Sequence, residues 1–485
     1  MKKMHTGGRR FPLLFIWLPL LILGVIHLAR AGADPIANAL QPNVTPQKWA
    51  AVLTQHNNLA HTGANLDESI LTVTNVNTNG FGLLYTRPVD DQLYAQPLIV
   101  TNVTIPGQGA HNLVILATVN DSVYAYDADD GTVTAPYWTN SFINPPTIVA
   151  PNNADMSALG ACGGSYNDFS GNIGIVSTPV IDPVAGTLYL VARTKESGVF
   201  VQKLHALDIT TGKERVGSPR TITATYNGTG DGNVSGVITF DPARQNQRAG
   251  LSLVNGVVYI TWASHCDLGP YHGWVIGYDA TNLNQVVVYN TTPNGYNGGV
   301  WMSGEGISAD ASGNLYLSVG NGSVGYNNNP LDTINRGESF LKLTRSGSTL
   351  TVASWFTPYN YQALENGDID LGSAGVLLIP GTSLAFSGGK QGVGYLVNRN
   401  TMGGLSTGTS DTNILQSITM TSDQLHGGMV WWDGPGASYG YIWPASVYLQ
   451  QYQFNRTANL FNLPVFAQSP STAPGGQPGG ILALT

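Results

Sequence analysis

The stretch GTLYLVARTKESGVFVQKLHALDITTGK, Gly186 to Lys213, decides the fold. Two alternating apolar runs, Thr187 to Ala192 and Phe200 to Leu207, are joined by a polar Lys195-Glu196-Ser197-Gly198 turn and closed by Asp208 and Gly212. A period of two broken by a short polar turn predicts an antiparallel hairpin. Tyrosine and branched residues suit a pleated, half-buried surface. The Asp-x-x-x-Gly ending suits a turn that needs a side-chain acceptor and then a residue tolerant of positive φ.

The phrase recurs. Gly256 to Tyr259 leads to VIGYDATN (Val275 to Asn282), and Gly313 to Tyr316 leads to FLKLTRSG (Phe340 to Gly347). An earlier copy ends in VYAYDADDGT (Val123 to Thr132) and a later one in YLVNRNTMGG (Tyr395 to Gly404). Several copies follow a run that carries a proline: AQPLIV (Ala95 to Val100), STPVID (Ser177 to Asp182) and WPASVY (Trp443 to Tyr448). Proline cannot donate to a ladder, so these runs are expected as edge strands. An edge strand, two central strands and a variable outer one make a propeller blade, and self-similarity at tens of residues marks such arrays. The expectation is an all-β propeller of seven or eight blades, with the last incomplete. Six blades are read near 93–142, 173–226, 249–289, 300–356, 370–419 and 429–466, with Phe81 to Val89 completing the last one.

Charged residues make up only 10% of the 485 positions, and glycine reaches 59. This composition favours short strands and tight turns over coiled coils and long amphipathic helices. The formal charge of −8 argues against a phosphate-binding surface, so nucleic acid is not an expected partner. Lys2, Lys3, Arg9 and Arg10 precede an apolar stretch, Phe11 to Leu28, and Ala29-Arg30-Ala31 offers a cleavage site. Residues 1–31 are therefore expected as a signal peptide. An uncleaved anchor over 11–28 is the alternative, and it would be the sole membrane contact. Either way the body lies outside the cytoplasm. Residues 32–77 read as a polar extension, and 78–485 as the propeller. The last apolar run, Gly480 to Thr485, reads as the start of a blade that the sequence does not continue.

Two cysteines occur, Cys162 and Cys266. Outside the cytoplasm such a pair is most simply a disulfide, with two separate thiols as the alternative.

Several stretches together resemble a group of secreted bacterial pyrroloquinoline-quinone-like (PQQ-like) β-propellers. They are TQHNNLAHTGANLDES (Thr54 to Ser69), VYAYDADDGT, GIVSTPVIDPVAGTLYLVARTKE, LHALDITTGKE, VVYITWASHCDLGPYHGWVIGYDA and DIDLGSAGVLLIPG. The wider superfamily, that of quinoprotein alcohol dehydrogenases, holds both PQQ enzymes and non-catalytic assembly scaffolds. Asp368-Ile369-Asp370-Leu371 followed by SGGKQGVGYLVNRN (Ser387 to Asn400) is similar to a stretch of membrane-bound quinoprotein glucose dehydrogenases. That resemblance implies Asp368 as catalytic base and Lys390 as the residue that contacts the quinone. An aspartate can take the substrate proton, and a cationic donor can stabilise charge growing on the quinone oxygen. Trp301 and Trp431 are candidates to stack a sugar or quinone at the channel mouth.

The chain departs from the dehydrogenase pattern. It has no adjacent-cysteine pair, no clear Glu and Asn pair for calcium, and no Trp-ending docking repeat in most blades; Asp127, Gly131 and Trp138 come closest. The alternative reading makes Asp368 and Asp370 turn residues and Lys390 a solvated charge. His265, Cys266, Asp267 and His272 match no trusted metal spacing and read as a disulfided loop with a structural histidine. His56 and His61 read as part of a polar plug, and DADDG (Asp127 to Gly131) as a plain turn. The expected function is a non-catalytic binding or scaffolding module with a protein or carbohydrate ligand, needing no cofactor. The alternative is a PQQ-dependent alcohol or sugar dehydrogenase using PQQ with calcium.

Overall fold

The structure, a computed structural model, describes residues 51–485 apart from Val73 and Pro478. The expected signal segment, residues 1–31, and the polar extension as far as residue 50 lie outside the described residues. Among the described residues the chain is almost wholly β. Its only α-helices are two single pieces, Asn153–Ala158 and Tyr361–Asn366, and neither is long enough to cross a membrane.

The hairpin that anchors the sequence forms as its alternation requires. Thr187–Glu196 pairs antiparallel with Val199–Asp208 in continuous register from Thr187↔Asp208 to Glu196↔Val199. The loop is Ser197-Gly198, both at positive φ (47° and 88°), the primed geometry that matches strand twist. Asp208 Oδ1 accepts from Thr210 N at 2.8 Å, and Gly212 sits at φ 68° against the ring of Trp138, where a Cβ would collide. Asp127 makes the same turn, accepting from Asp129 N and Asp130 N at 2.8 and 2.7 Å. DADDG is accordingly a turn closed by its own first carboxylate.

Among the described residues such pairing, antiparallel except where Phe356 and Thr357 run parallel to Gly404 and Leu405, builds six sheets of four or five strands and one two-stranded hairpin, Thr225–Asn227 with Val237–Thr239. In chain order the first strands of the six sheets begin at Leu98, Ile148, Gln245, Ser308, Leu377 and Val430. Hydrophobic clusters lie between consecutive sheets. Leu98 and Ile115 pack with Leu188 and Leu207, then Tyr189 and Leu204 with Val258 and Trp262, and Val257 and Tyr259 with Leu315 and Leu341. Tyr316 and Phe340 pack with Val376 and Tyr395, and Leu396 and Phe386 with Trp431 and Tyr452. Each such buried side chain contributes about 2 kcal/mol. Sheets that share their faces only with the next sheet are the arrangement of propeller blades. Trp138 adds a polar tie between the first two, its Nε1 donating to Ile209 O at 2.9 Å.

Residues 52–64 run across the first strands. Val52 exchanges backbone hydrogen bonds with Ile99, and Leu53 O accepts from Ile181 N. Gln55 packs against Gly250 at the third sheet. Leu59 O, Ala60 O and Thr62 O accept in turn from Ala309, Leu378 and Trp431 N, and Gly63 O from Leu484 N. This segment meets the sheets in the order in which the chain makes them, as it does if they stand around a common axis.

Two local expectations are corrected. Residues 81–89 form no strand and lie against the first sheet rather than the last. Arg87 Nη2 donates to Asp130 O at 2.8 Å, and its guanidinium stacks 4.2 Å from the Tyr85 ring. Pro97 and Pro179 stand just ahead of the edge strands Leu98–Ile105 and Val180–Asp182 as expected, but Trp443 to Val447 is a turn between strands Ser438–Ile442 and Tyr448–Asn455. There Trp443 bridges to Gly480 instead.

Candidate functional site

The strand Leu315–Val319 is buried along its whole length and ends in Gly320-Asn321-Gly322. A Cβ on Gly320 would collide with the carboxylate of Asp370, so glycine there lets the loop before the fifth sheet come close. Asp370 Oδ1 accepts from Asn321 N, and Asp368 Oδ1 accepts from Asn321 Nδ2, both at 2.8 Å. Asp368 is itself held at φ 53°. Lys390 stands in the turn between strands Leu384–Gly388 and Val393–Asn398, and its backbone N donates to Asp370 O at 2.9 Å. Its ammonium lies 2.6 Å from Asp370 Oδ2, 3.3 Å from Asp368 Oδ1 and 5.7 Å from the centre of the Trp301 ring.

These residues share a cavity of about 560 Å³ with Asp267, Arg248 and Cys266. Cys266 is disulfide-bonded to Cys162, so the sulfur bridge forms part of the wall. Trp301, Asp368 and Lys390, distant in sequence, are thus brought together. Trp431 is not among them. It is buried in the strand Val430–Asp433, edge-on to Phe454 and Phe461, where core packing accounts for it.

The cavity is acidic around one lysine. Burial tends to lower the Lys390 pKa, but the charge and hydrogen bonding of Asp370, then Asp368, outweigh it and the ammonium is held more firmly than usual. Burial, and after it the Asp370 charge, pushes the Asp267 and Glu338 carboxyls up, Glu338 strongly. Glu338 also accepts from Leu371 N at 2.7 Å, which fixes the Asp370 loop from behind. His426, 5.8 Å from Trp301 ring to ring, is lowered to about 4 by burial and then by Lys390, so it is neutral at physiological pH.

Sequence reasoning missed Asn321 and Arg248, and it read Asp267 only as part of a disulfided loop. The signal for Asn321 was its Gly-Asn-Gly setting at a strand end, where backbone must pass close to another segment. Its Oδ1 is buried without a hydrogen-bond partner beside two aspartates, an orphaned carbonyl among carboxylates of the kind a hard cation takes. Arg248 makes no hydrogen bond among the described residues, and it faces the cavity beside Tyr94, Tyr166 and Trp301. The donor set therefore fits a calcium-class ion next to a planar anion. By contrast His265 and His272 have both ring nitrogens occupied, by Tyr166 and Arg193 and by Thr292 and Asp231, and serve structure.

Sheets and turns together define an all-β, β-propeller fold. Among solved structures the chain is similar to the quinohemoprotein alcohol dehydrogenase ADHIIG from Pseudomonas putida HK5, with a TM-score of 0.51 at 15% identity. That match covers 85% of this chain and 59% of the dehydrogenase, so the chain spans about three fifths of its length. Fainter likenesses are to a europium-containing methanol dehydrogenase (TM-score 0.48, 14% identity, 85% of this chain and 72% of that one) and to BamB from Moraxella catarrhalis (0.28, 12%, 71% and 80%). No family model and no curated protein matches the sequence. Identities this low carry the fold and not the activity.

Proposed function

We infer that the chain is an exported β-propeller of seven or eight blades whose working site is the Lys390 cavity. There it takes a planar, anionic, quinone-class ligand with a calcium-class cation, as a PQQ-dependent alcohol or sugar oxidoreductase does. The observation that carries this reading is the convergence of Trp301, Asp368, Asp370 and Lys390 on one cavity beside the orphaned Asn321 Oδ1. Export is supported by the disulfide and by the basic-then-apolar start of the sequence.

Bound PQQ would supply a two-electron acceptor. Trp301 offers a face for stacking and Arg248 a counter-charge, while Asn321, Asp370 and Asp267 offer oxygens to the cation. Asp368 holds its Oδ1 in hydrogen bonds to Asn321 and Lys390, which leaves Oδ2 to take a proton from a substrate hydroxyl. Lys390 keeps a positive charge where negative charge grows. A second reading, a non-catalytic binding or scaffolding propeller for a protein or carbohydrate, is favoured by one observation. The Lys390 ammonium is already satisfied by Asp370 at 2.6 Å without any ligand.

One experiment separates them. The purified full chain is titrated with PQQ and calcium, and dye reduction is followed over alcohols and aldoses. Stoichiometric PQQ binding, with turnover abolished in Asp368→Asn while binding persists, supports the oxidoreductase. Absence of binding at micromolar PQQ retires it in favour of the second reading.

A further inference from the structure

The segment that runs along the first strands carries two histidines, and both point at one buried carboxylate. His56, His61 and Glu305 are 3%, 1% and 2% exposed. A ring nitrogen of each histidine and a Glu305 oxygen all lie within 4.8 Å of one another. Yet they do not satisfy one another. His56 Nδ1 is 3.7 Å from Glu305 Oε2, too far for a hydrogen bond, and neither it nor either nitrogen of His61 has a partner. Buried polar atoms are almost always paired, and two imidazoles with unpartnered nitrogens beside one carboxylate call for an occupant.

The lone pairs are aimed. His56 Nε2 lies 3.1 Å from Leu482 O, which can only accept, so Nε2 donates there and Nδ1 is the nitrogen turned towards Glu305. Glu305 Oε1 accepts from Gly428 N, which leaves Oε2 for the cluster. Glycines surround the group. A Cβ on Gly375 or Gly428 would strike the Glu305 carboxylate, and one on Gly63 would press on His56 at 3.0 Å. Both histidines are held at positive φ (54° and 56°), a conformation that persists only where the surroundings impose it.

We propose that His56, His61 and Glu305 bind a divalent transition ion, zinc in first place, which clasps the segment 54–63 to the turn that follows Trp301. Two imidazoles and one carboxylate suit a borderline ion, whereas calcium prefers the all-oxygen set of the Lys390 cavity. The clasp is a site separate from that cavity and stands whether or not a quinone binds there.

The test uses tag-free, full-length protein. Metal content is measured by plasma mass spectrometry as purified; the protein is then stripped with EDTA and titrated with Co²⁺ and Zn²⁺. The expected results are about one ion per chain, visible d–d absorption of bound Co²⁺ that Zn²⁺ abolishes and excess calcium does not, and a higher Tm with metal. His61→Gln should weaken Co²⁺ binding at least about 100-fold, more than the loss of an outer-shell partner does. Because that variant can misfold, the wild-type titration is decisive by itself: wild-type protein that carries no ion and shows no Co²⁺ absorption overturns the proposal. So does a folded His61→Gln variant that binds Co²⁺ as tightly as the wild type.

Discussion

Replacing Lys390 by methionine removes the cation that pairs with Asp370 and Asp368 while keeping most of the side chain's length. At an effective dielectric of about 20, an ammonium 2.6 Å from a carboxylate gains roughly 6 kcal/mol. Desolvation of two side chains only 11% and 9% exposed takes back about half, leaving about 3 kcal/mol, the lower end of what breaking a buried pair costs. Asp368, 66% exposed, adds well under about 1 kcal/mol because water screens it. The folded-state pKa of Lys390 is raised, so the stabilisation is fully present below the unfolded lysine value of about 10.4 and is lost as pH rises through the folded one. Guanidinium unfolding followed by tryptophan fluorescence should therefore show Lys390→Met about 3 kcal/mol less stable at pH 7, with the gap narrowing above about pH 10.4. Asp370→Asn in the Lys390→Met background should recover most of the loss. A variant within about 0.5 kcal/mol of wild type at pH 7, or a gap that does not narrow in alkali, would refute the reasoning.

Other outcomes follow from the same structure. Trp138→Ala should cost about 3 kcal/mol by removing both the ring that fills the space at Gly212 and the hydrogen bond to Ile209, read as a drop in unfolding midpoint. Opening the Cys162–Cys266 bond, which spans a sequence separation of 104, should destabilise by about 4 to 5 kcal/mol in the chain-entropy model, measured with and without reductant. Trp301→Ala should weaken PQQ binding with little change in Tm, whereas Trp431→Ala should lower stability by about 3 to 5 kcal/mol and leave binding intact. Titration calorimetry and thermal unfolding on the same samples check the pair.

The parts of the fold legible in the sequence are those that local chemistry specifies. The hairpin 187–208 shows in its alternation, and the aspartate turns at Asp127 and Asp208 show in their spacing. What was not legible depends on what meets across the molecule. Trp301 and Trp431 look alike in sequence, yet one faces a cavity and the other a core, a difference set by neighbours dozens of residues away, Lys390 for the first and Phe454 and Phe461 for the second. Residues 81–89 have strand-like composition but find no open ladder, so the Tyr85 and Arg87 side chains decide their place. Asn321 escaped notice because its role comes from Asp368 and Asp370, which only the next sheet brings to it.

The course of residues 52–64 bears on how such a chain comes together. Val52 and Leu53 find partners in the first two sheets, but Thr62 and Gly63 wait for Trp431 and Leu484, the latter more than four hundred positions along. A chain made from its N-terminus makes this segment early and finishes seating it late, so Thr62 and Gly63 stay solvated until the sixth sheet and Leu484 exist. Contacts of such sequence separation slow folding, since the loop entropy is lost before they form. The segment is therefore fully seated only when the last of its partners has been made. A product lacking its last sheet would keep most of its inter-sheet cores, and Leu59 and Ala60 on their partners, yet leave Thr62 and Gly63 unseated and more open to proteases.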